Sequence, residues 1–113
     1  MTKLDTQTDP QSDIEALFFA LGEKQRRTIF FSLMDGEKTV KQLAEPLNIT
    51  LTGLGQHIKI LEAAKLVRTE KVGRERICSI NPEGLTTMEN FAKLHRGLWS
   101  SRFSTLRKIV EPH

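Results

Sequence analysis

At 113 residues the chain has the length of one domain, enough to bury a single core and not two. Hydrophobic residues make up 38% and charged residues 27%, a globular composition, and no apolar run approaches the roughly 18–20 residues of a helical membrane span. Net charge is only +3, and the lone cysteine, Cys78, excludes both an intramolecular disulfide and a cysteine-rich zinc module.

Residues 1–11 carry Thr, Gln, Asp and Pro without periodicity and read as a disordered arm. The arm resembles neither a secretory signal nor a transit peptide, so a cytoplasmic protein with no membrane partner is expected. Residues 12–113 then read as one domain. Ser12 and Glu15 have the spacing of a capping box and open a first helix, with Ile14, Leu17, Phe18 and Leu21 at helical spacing and Gly22 as its interruption. A second helix is predicted over residues 23–35, burying Ile29, Phe30, Leu33 and Met34, with Gly36 ending it in a left-handed conformation.

Thr39 and Gln42 form another capping box, opening a short helix over residues 40–47 that turns Val40, Leu43, Ala44 and Leu47 inward. Pro46 removes a donor near its end, and Asn48 suits a left-handed exit. Thr50 caps a fourth helix over residues 51–64, in which Leu51, Leu54, Ile58 and Leu61 make one buried stripe. The period then changes. Residues 67–72 and 75–80 read as two strands joined by Gly73-Arg74, a glycine-first loop of the type II′ kind. Asn81-Pro82-Glu83 supplies the cap, first-turn proline and first-turn acid of a last helix reaching about residue 110, with an unusually wide apolar face.

The order α-α-α-α-β-β-α is mainly α with a small β-hairpin. A short helix, a three-residue turn and a second helix, followed by a basic hairpin, is winged helix-turn-helix geometry. With one stripe of the fourth helix buried, Thr50, Thr52, Gly53, Gly55, Gln56 and Lys59 face outward and His57 lies on the flank. Gln56 can pair bidentately with adenine, Thr52 can meet a thymine methyl or a phosphate, and Lys59 can reach phosphates. Two glycines in one helix cost about 1 kcal/mol each relative to alanine. Either close approach to double-stranded DNA or simple tolerance accounts for them. In the hairpin, Arg74 at the tip, with Lys71 and Arg76 beside it, has the charge of a wing that reaches the DNA backbone or minor groove. Lys24, Arg26 and Arg27 either touch phosphates or serve solubility and internal pairing. Cys78 reads as a packed strand residue, with a redox role as the alternative. No nucleophile–base pair, carboxylate pair or phosphate-cradling loop marks an enzyme, and no cofactor is expected.

The segments Leu21-Gly22-Glu23-Lys24-Gln25-Arg26-Arg27-Thr28-Ile29, Thr39-Val40-Lys41-Gln42-Leu43-Ala44, Gln56-His57-Ile58-Lys59-Ile60-Leu61-Glu62-Ala63-Ala64-Lys65-Leu66-Val67 and Ile80-Asn81-Pro82-Glu83-Gly84-Leu85 resemble the ArsR/SmtB group of bacterial repressors. That resemblance implies a homodimer on a near-palindromic operator, released by an effector. It also implies a dimer interface built from the first and last helices: Ile14, Leu17, Phe18, Leu94, Leu98, Trp99, Phe103 and Leu106. The third helix lacks the cysteine pair of the group's metal sensors, and the last helix lacks their interleaved Asp and His. His57, His95, His113 and Cys78 have no ligand spacing, so no metal is expected and no residue pattern assigns an effector. Gly55 stands where the group has serine, and Lys65 replaces a glycine, so a different helix end is expected there. The competing function is a winged-helix protein-interaction module with weak or no specific DNA binding.

Overall fold

The computed structural model describes the backbone of residues 10–110 and the side chains of residues 12–102 except Trp99. The expected arm over residues 1–9, and the side chains of Trp99, Phe103 and Leu106, lie outside the described residues. The elements are α1 (Pro10–Leu21), α2 (Lys24–Ser32), a 3-10 turn (Leu33–Asp35), β1 (Lys38–Thr39), α3 (Val40–Leu47), α4 (Leu51–Ala63), β2 (Val67–Val72), β3 (Glu75–Ile80) and α5 (Pro82–Val110). The first helix begins at Pro10, two residues inside the segment expected to be an arm.

Local chemistry explains most boundaries. The Glu23 carboxylate accepts from the Arg26 amide and starts α2. The Thr39–Gln42 capping box forms with both bonds in place, 3.1 and 2.9 Å. Pro46 is held in the last turn of an eight-residue helix, and Asn48 leaves that helix at φ 55°, ψ 46°. Asn81 Oδ1 accepts from the Glu83 amide at 3.0 Å, with Pro82 in the first helical position of α5.

Three expectations need correction. The second helix tightens into a 3-10 turn over its last three residues, and this change of pitch carries Met34 out of the buried stripe to 52% exposure. Gly36 is not left-handed helical: its φ of 137° and ψ of 171° place it in an extended region that is essentially glycine's alone. Leu51, placed on the buried stripe of α4, is exposed at the rim of a shallow groove lined by Ala44, Glu45 and Ile49. The stripe begins one turn later, at Leu54.

The end of α4 keeps the conformation that glycine would give. Lys65 adopts φ 60°, its amide donates to Glu62 O at 2.9 Å, and the Leu66 amide donates to Leu61 O at 3.0 Å. This is a Schellman closure, and Leu61 and Leu66 at its two ends are both buried in the core. The expected difference at this helix end is therefore absent, because the tertiary frame imposes a left-handed residue that lysine tolerates at a cost. Lys65→Gly is expected to raise the unfolding free energy by about 0.5–1 kcal/mol, measured as a higher denaturant midpoint at unchanged slope; a lower midpoint would refute the strain.

Three antiparallel strands form one sheet in the order β1-β3-β2. Val67 pairs with Ile80 and Val72 with Glu75, so Gly73-Arg74 makes the two-residue connection, with a φ of 65° at Gly73. β1 is an addition to the expected hairpin: Lys38 lies opposite Cys78 and Thr39 opposite Ile77. The core joins Leu17 and Ala20 of α1, Ile29 and Phe30 of α2, Leu43 of α3, Leu54, Ile58 and Leu61 of α4, and Val67 and Cys78 of the sheet. Against it sits the start of α5. The Asn81 amide donates to Leu66 O at 2.9 Å, the Gly84 amide to Lys65 O at 2.7 Å, and Gly84 lets the two backbones meet. A Cβ there would stand 2.6 Å from Lys65 O and 2.7 Å from Leu66 Cδ2.

Candidate nucleic-acid interface

At about 100° per residue, Thr52, Gln56 and Lys59 fall on one stripe of α4, roughly opposite Leu54, Ile58 and Leu61. Burial follows: the second trio is in the core and the first is exposed. The core thus fixes which face of α4 points outward. Thr50, the N-cap, uses its hydroxyl to accept from the Gly53 amide at 3.0 Å. A Cβ at Gly53 would lie 3.3 Å from that hydroxyl, whereas a Cβ at Gly55 would meet nothing within 4 Å. Packing in the subunit gives no reason for glycine at position 55.

His57 is half-buried and both ring nitrogens are occupied inside the fold. Arg26 Nη1 lies 3.4 Å from Nδ1, and Gln25 Oε1 lies 3.0 Å from Nε2. Arg26 itself is no phosphate contact. It is 7% exposed, and it donates from Nε to Ala20 O at 2.7 Å and from Nη2 to Phe19 O at 3.1 Å. Arg27 donates to Leu21 O at 2.9 Å. Together with the Gly22 amide, which donates to Phe19 O at 3.3 Å, the two arginines satisfy the carbonyl end of α1. Of the basic residues at the start of α2, Lys24 and Arg27 are exposed and Arg26 is buried.

The wing projects its charges. Lys71 and Arg74 are exposed at and beside the turn. Arg76 is exposed too, but its Nη1 donates to Thr69 Oγ1 at 3.0 Å, and that hydroxyl donates to Glu62 Oε2 at 2.8 Å. Thr69 therefore ties the wing to α4, and Arg76 supports that hydroxyl from the adjacent strand. Cys78 is fully buried in β3, and burial, aided by the Glu62 carboxylate and opposed by Arg76, pushes its thiol up to about 11. At neutral pH it is a packed, protonated thiol. Among the described residues no group of three or more His, Cys, Asp or Glu side chains converges on a point, and no helix is long and apolar enough to cross a membrane.

Away from α4 and the wing, α1 packs along the first half of α5. Phe18 meets Phe91 edge to face at 5.4 Å, and Phe91 lies against the His95 ring at 4.2 Å. Phe18, Leu94 and Leu98 are 51%, 64% and 54% exposed, and Ile14 is half-buried beside them. Leu17 does not belong to this face. At 1% exposure it is enclosed in the subunit's own core, because it sits on the side of α1 turned toward α2 and α4.

A helix-turn-helix domain family matches residues 21–70, spanning α2 to most of β2. The HTH-type transcriptional regulator Rv2034 of Mycobacterium tuberculosis is 33% identical over 69 residues, covering 61% of this chain; the chain spans 64% of that relative's length. A crystal structure of an ArsR family transcriptional regulator superposes with a TM-score of 0.76 at 33% identity, covering 84% of this chain and 98% of that one. The homodimeric winged helix-turn-helix DNA-binding domain Mb0332 of Mycobacterium bovis shares the fold, with a TM-score of 0.61 at 20% identity over 96% of this chain and 98% of its own. With 33% identity across almost the whole of the crystallised ArsR family regulator, and the same fold, the chain belongs to the ArsR family of winged helix-turn-helix transcriptional regulators.

Proposed function

We propose that the protein is a homodimeric repressor that binds a near-palindromic operator in double-stranded DNA. One observation carries the reading: the core turns Thr52, Gln56 and Lys59 outward on a single face of α4, with the cationic wing beside it. Gln56 reads a base edge, Thr52 and Lys59 hold flanking groups, and Lys71 and Arg74 bind phosphates along the adjoining backbone. The open space at Gly55 admits the DNA backbone, with Gly53 and Thr50 at the same helix end. The exposed Phe18, Leu94 and Leu98 supply the subunit contact, a role supported by the homodimeric assembly of the M. bovis domain.

Fluorescence anisotropy tests this with a duplex taken from the DNA upstream of the coding sequence, a scrambled duplex of equal composition, and a salt series. Affinity for the upstream duplex should exceed that for the scrambled one and fall steeply with salt. Gln56→Ala should cost about 1–3 kcal/mol on the upstream duplex and little on the scrambled one. Arg74→Ala should weaken both alike and reduce the salt slope by about 1. Equal, salt-indifferent binding to both duplexes would reject the DNA-reading role.

A further inference from the structure

The contacts of Arg26 form a continuous path between two parts of the molecule with different tasks. At one end its guanidinium closes the last carbonyls of α1, at Phe19 and Ala20, and lies 5.2 Å from the centre of the Phe19 ring. At the other end it meets His57 on α4, one residue after Gln56. Arginine has only donors, so Nδ1 of His57 must be the accepting nitrogen. That choice leaves the proton on Nε2, which donates to Gln25 Oε1 at 3.0 Å. The three side chains thus define both the tautomer and the rotation of the ring, and through it the rotation of α4 about its own axis.

We infer that Arg26, through His57 and Gln25, positions the recognition helix for DNA by locking α4 to the carbonyl end of α1. The assignment rests on the DNA-reading role of α4 proposed above. Leu54, Ile58 and Leu61 bury one stripe, but apolar packing is compliant to small rotations in a way that a fork of directed bonds is not. A rotation of α4 by roughly ten degrees would move the Gln56 amide by more than an ångström, enough to spoil a hydrogen bond to a base edge, while leaving Leu54, Ile58 and Leu61 buried. Because α1 also carries the exposed Phe18, the same lock ties the angle of the reading face to the helix proposed above to meet the partner subunit. Neither Arg26 nor His57 touches DNA in this arrangement, so both are positioning residues.

The test separates position from stability and from direct contact. His57→Ala leaves the Arg26 bonds to α1 intact, so the domain should unfold within a few degrees of the unsubstituted protein. Its affinity for the upstream duplex should nevertheless fall about tenfold, with scrambled-duplex affinity and salt slope unchanged, since no phosphate contact is lost. His57→Gln, which retains an acceptor for Arg26, should recover most of that loss. Arg26→Lys keeps the charge and loses the fork. Combined with His57→Ala, it should cost no more specific affinity than His57→Ala alone, the non-additivity expected of two residues acting through one contact. Ring nitrogen chemical shifts of the unsubstituted protein should report the Nε2–H tautomer. Additive losses would mean that His57 touches DNA itself and would overturn the positioning role, as would a tautomer protonated only at Nδ1 or undiminished affinity in His57→Ala. Failure of the unsubstituted protein to prefer the upstream duplex would instead overturn the DNA reading, and the positioning role with it.

Discussion

Gly84→Ala is expected to destabilise the domain by about 2–3 kcal/mol, a fall in melting temperature of roughly 10–20 °C for a chain of this size. The new Cβ would stand 2.6 Å from a backbone carbonyl that is already bonded to the Gly84 amide, so no flexible side chain can move aside. Relief requires α5 to lift away from the end of α4, exposing Leu66 and breaking the bonds to the carbonyls of Lys65 and Leu66. Gly97, on the same helix, is the internal control. A Cβ there meets nothing within 4 Å of the subunit, so Gly97→Ala should stabilise by up to about 1 kcal/mol through helix propensity. Thermal unfolding at matched protein concentration distinguishes the two, and an unchanged midpoint for Gly84→Ala would contradict the close approach.

Replacing Leu94 and Leu98 together by glutamate is expected to give a folded monomer. Both side chains are more than half exposed in the subunit, so the substitutions leave its core untouched. In the proposed dimer they would place charges in an apolar contact without partners, a cost of several kcal/mol. Sedimentation should show a single-subunit species with unchanged circular dichroism. Operator affinity should drop by about a hundredfold or more, because two half-sites would no longer be engaged by one linked molecule. A species that remains dimeric would locate the subunit contact elsewhere.

Much of the fold was legible in the sequence because its helix ends are written in side chains that act locally. Thr39 with Gln42, Asn48, Thr50 and Asn81 each cap through contacts spanning at most three residues, and the structure places all of them as their spacing implies. What local spacing does not encode is long-range. β1 has two residues and exists only because β3 lies beside it, so no alternation announces it. Lys65 is left-handed because Leu66 must enter the core, although lysine is a poor choice for that conformation. Met34 left the expected stripe because a 3-10 turn has a different period from the helix before it.

The candidate interface divides in the same way. The outward face of α4 follows from the periodicity of its buried face, and Thr52, Gln56 and Lys59 are exposed as that pattern requires. The sequence pattern places His57 and Arg76 beside the DNA and leaves Arg26 open between a phosphate contact and internal pairing; within the fold each has a partner between 6 and 32 residues away, which for Arg26 is the internal pairing. The partial signal for Arg26 was present in Gly22, which ends a helix and whose amide serves only the Phe19 carbonyl, leaving those of Ala20 and Leu21 to other donors. Two arginines a few residues later are suitable donors, but only the angle between α1 and α2 brings them there.

Thr39 has two offices, as the last residue of β1 and as the cap of α3, and this constrains the order in which the chain can assemble. The β2–β3 hairpin and the α3–α4 pair are each local, and each can begin alone. Pairing Lys38 with Cys78, however, closes a loop of about forty residues, an entropic cost that must be met before the strand returns any stabilisation. That cost is smallest once both local units are packed on the shared core, and the pairing ties them together through Thr39. Helix α4 and the β2–β3 hairpin are thus coupled through that one pairing, and a chain truncated before β3 would hold a helix-turn-helix whose first cap lacks its strand.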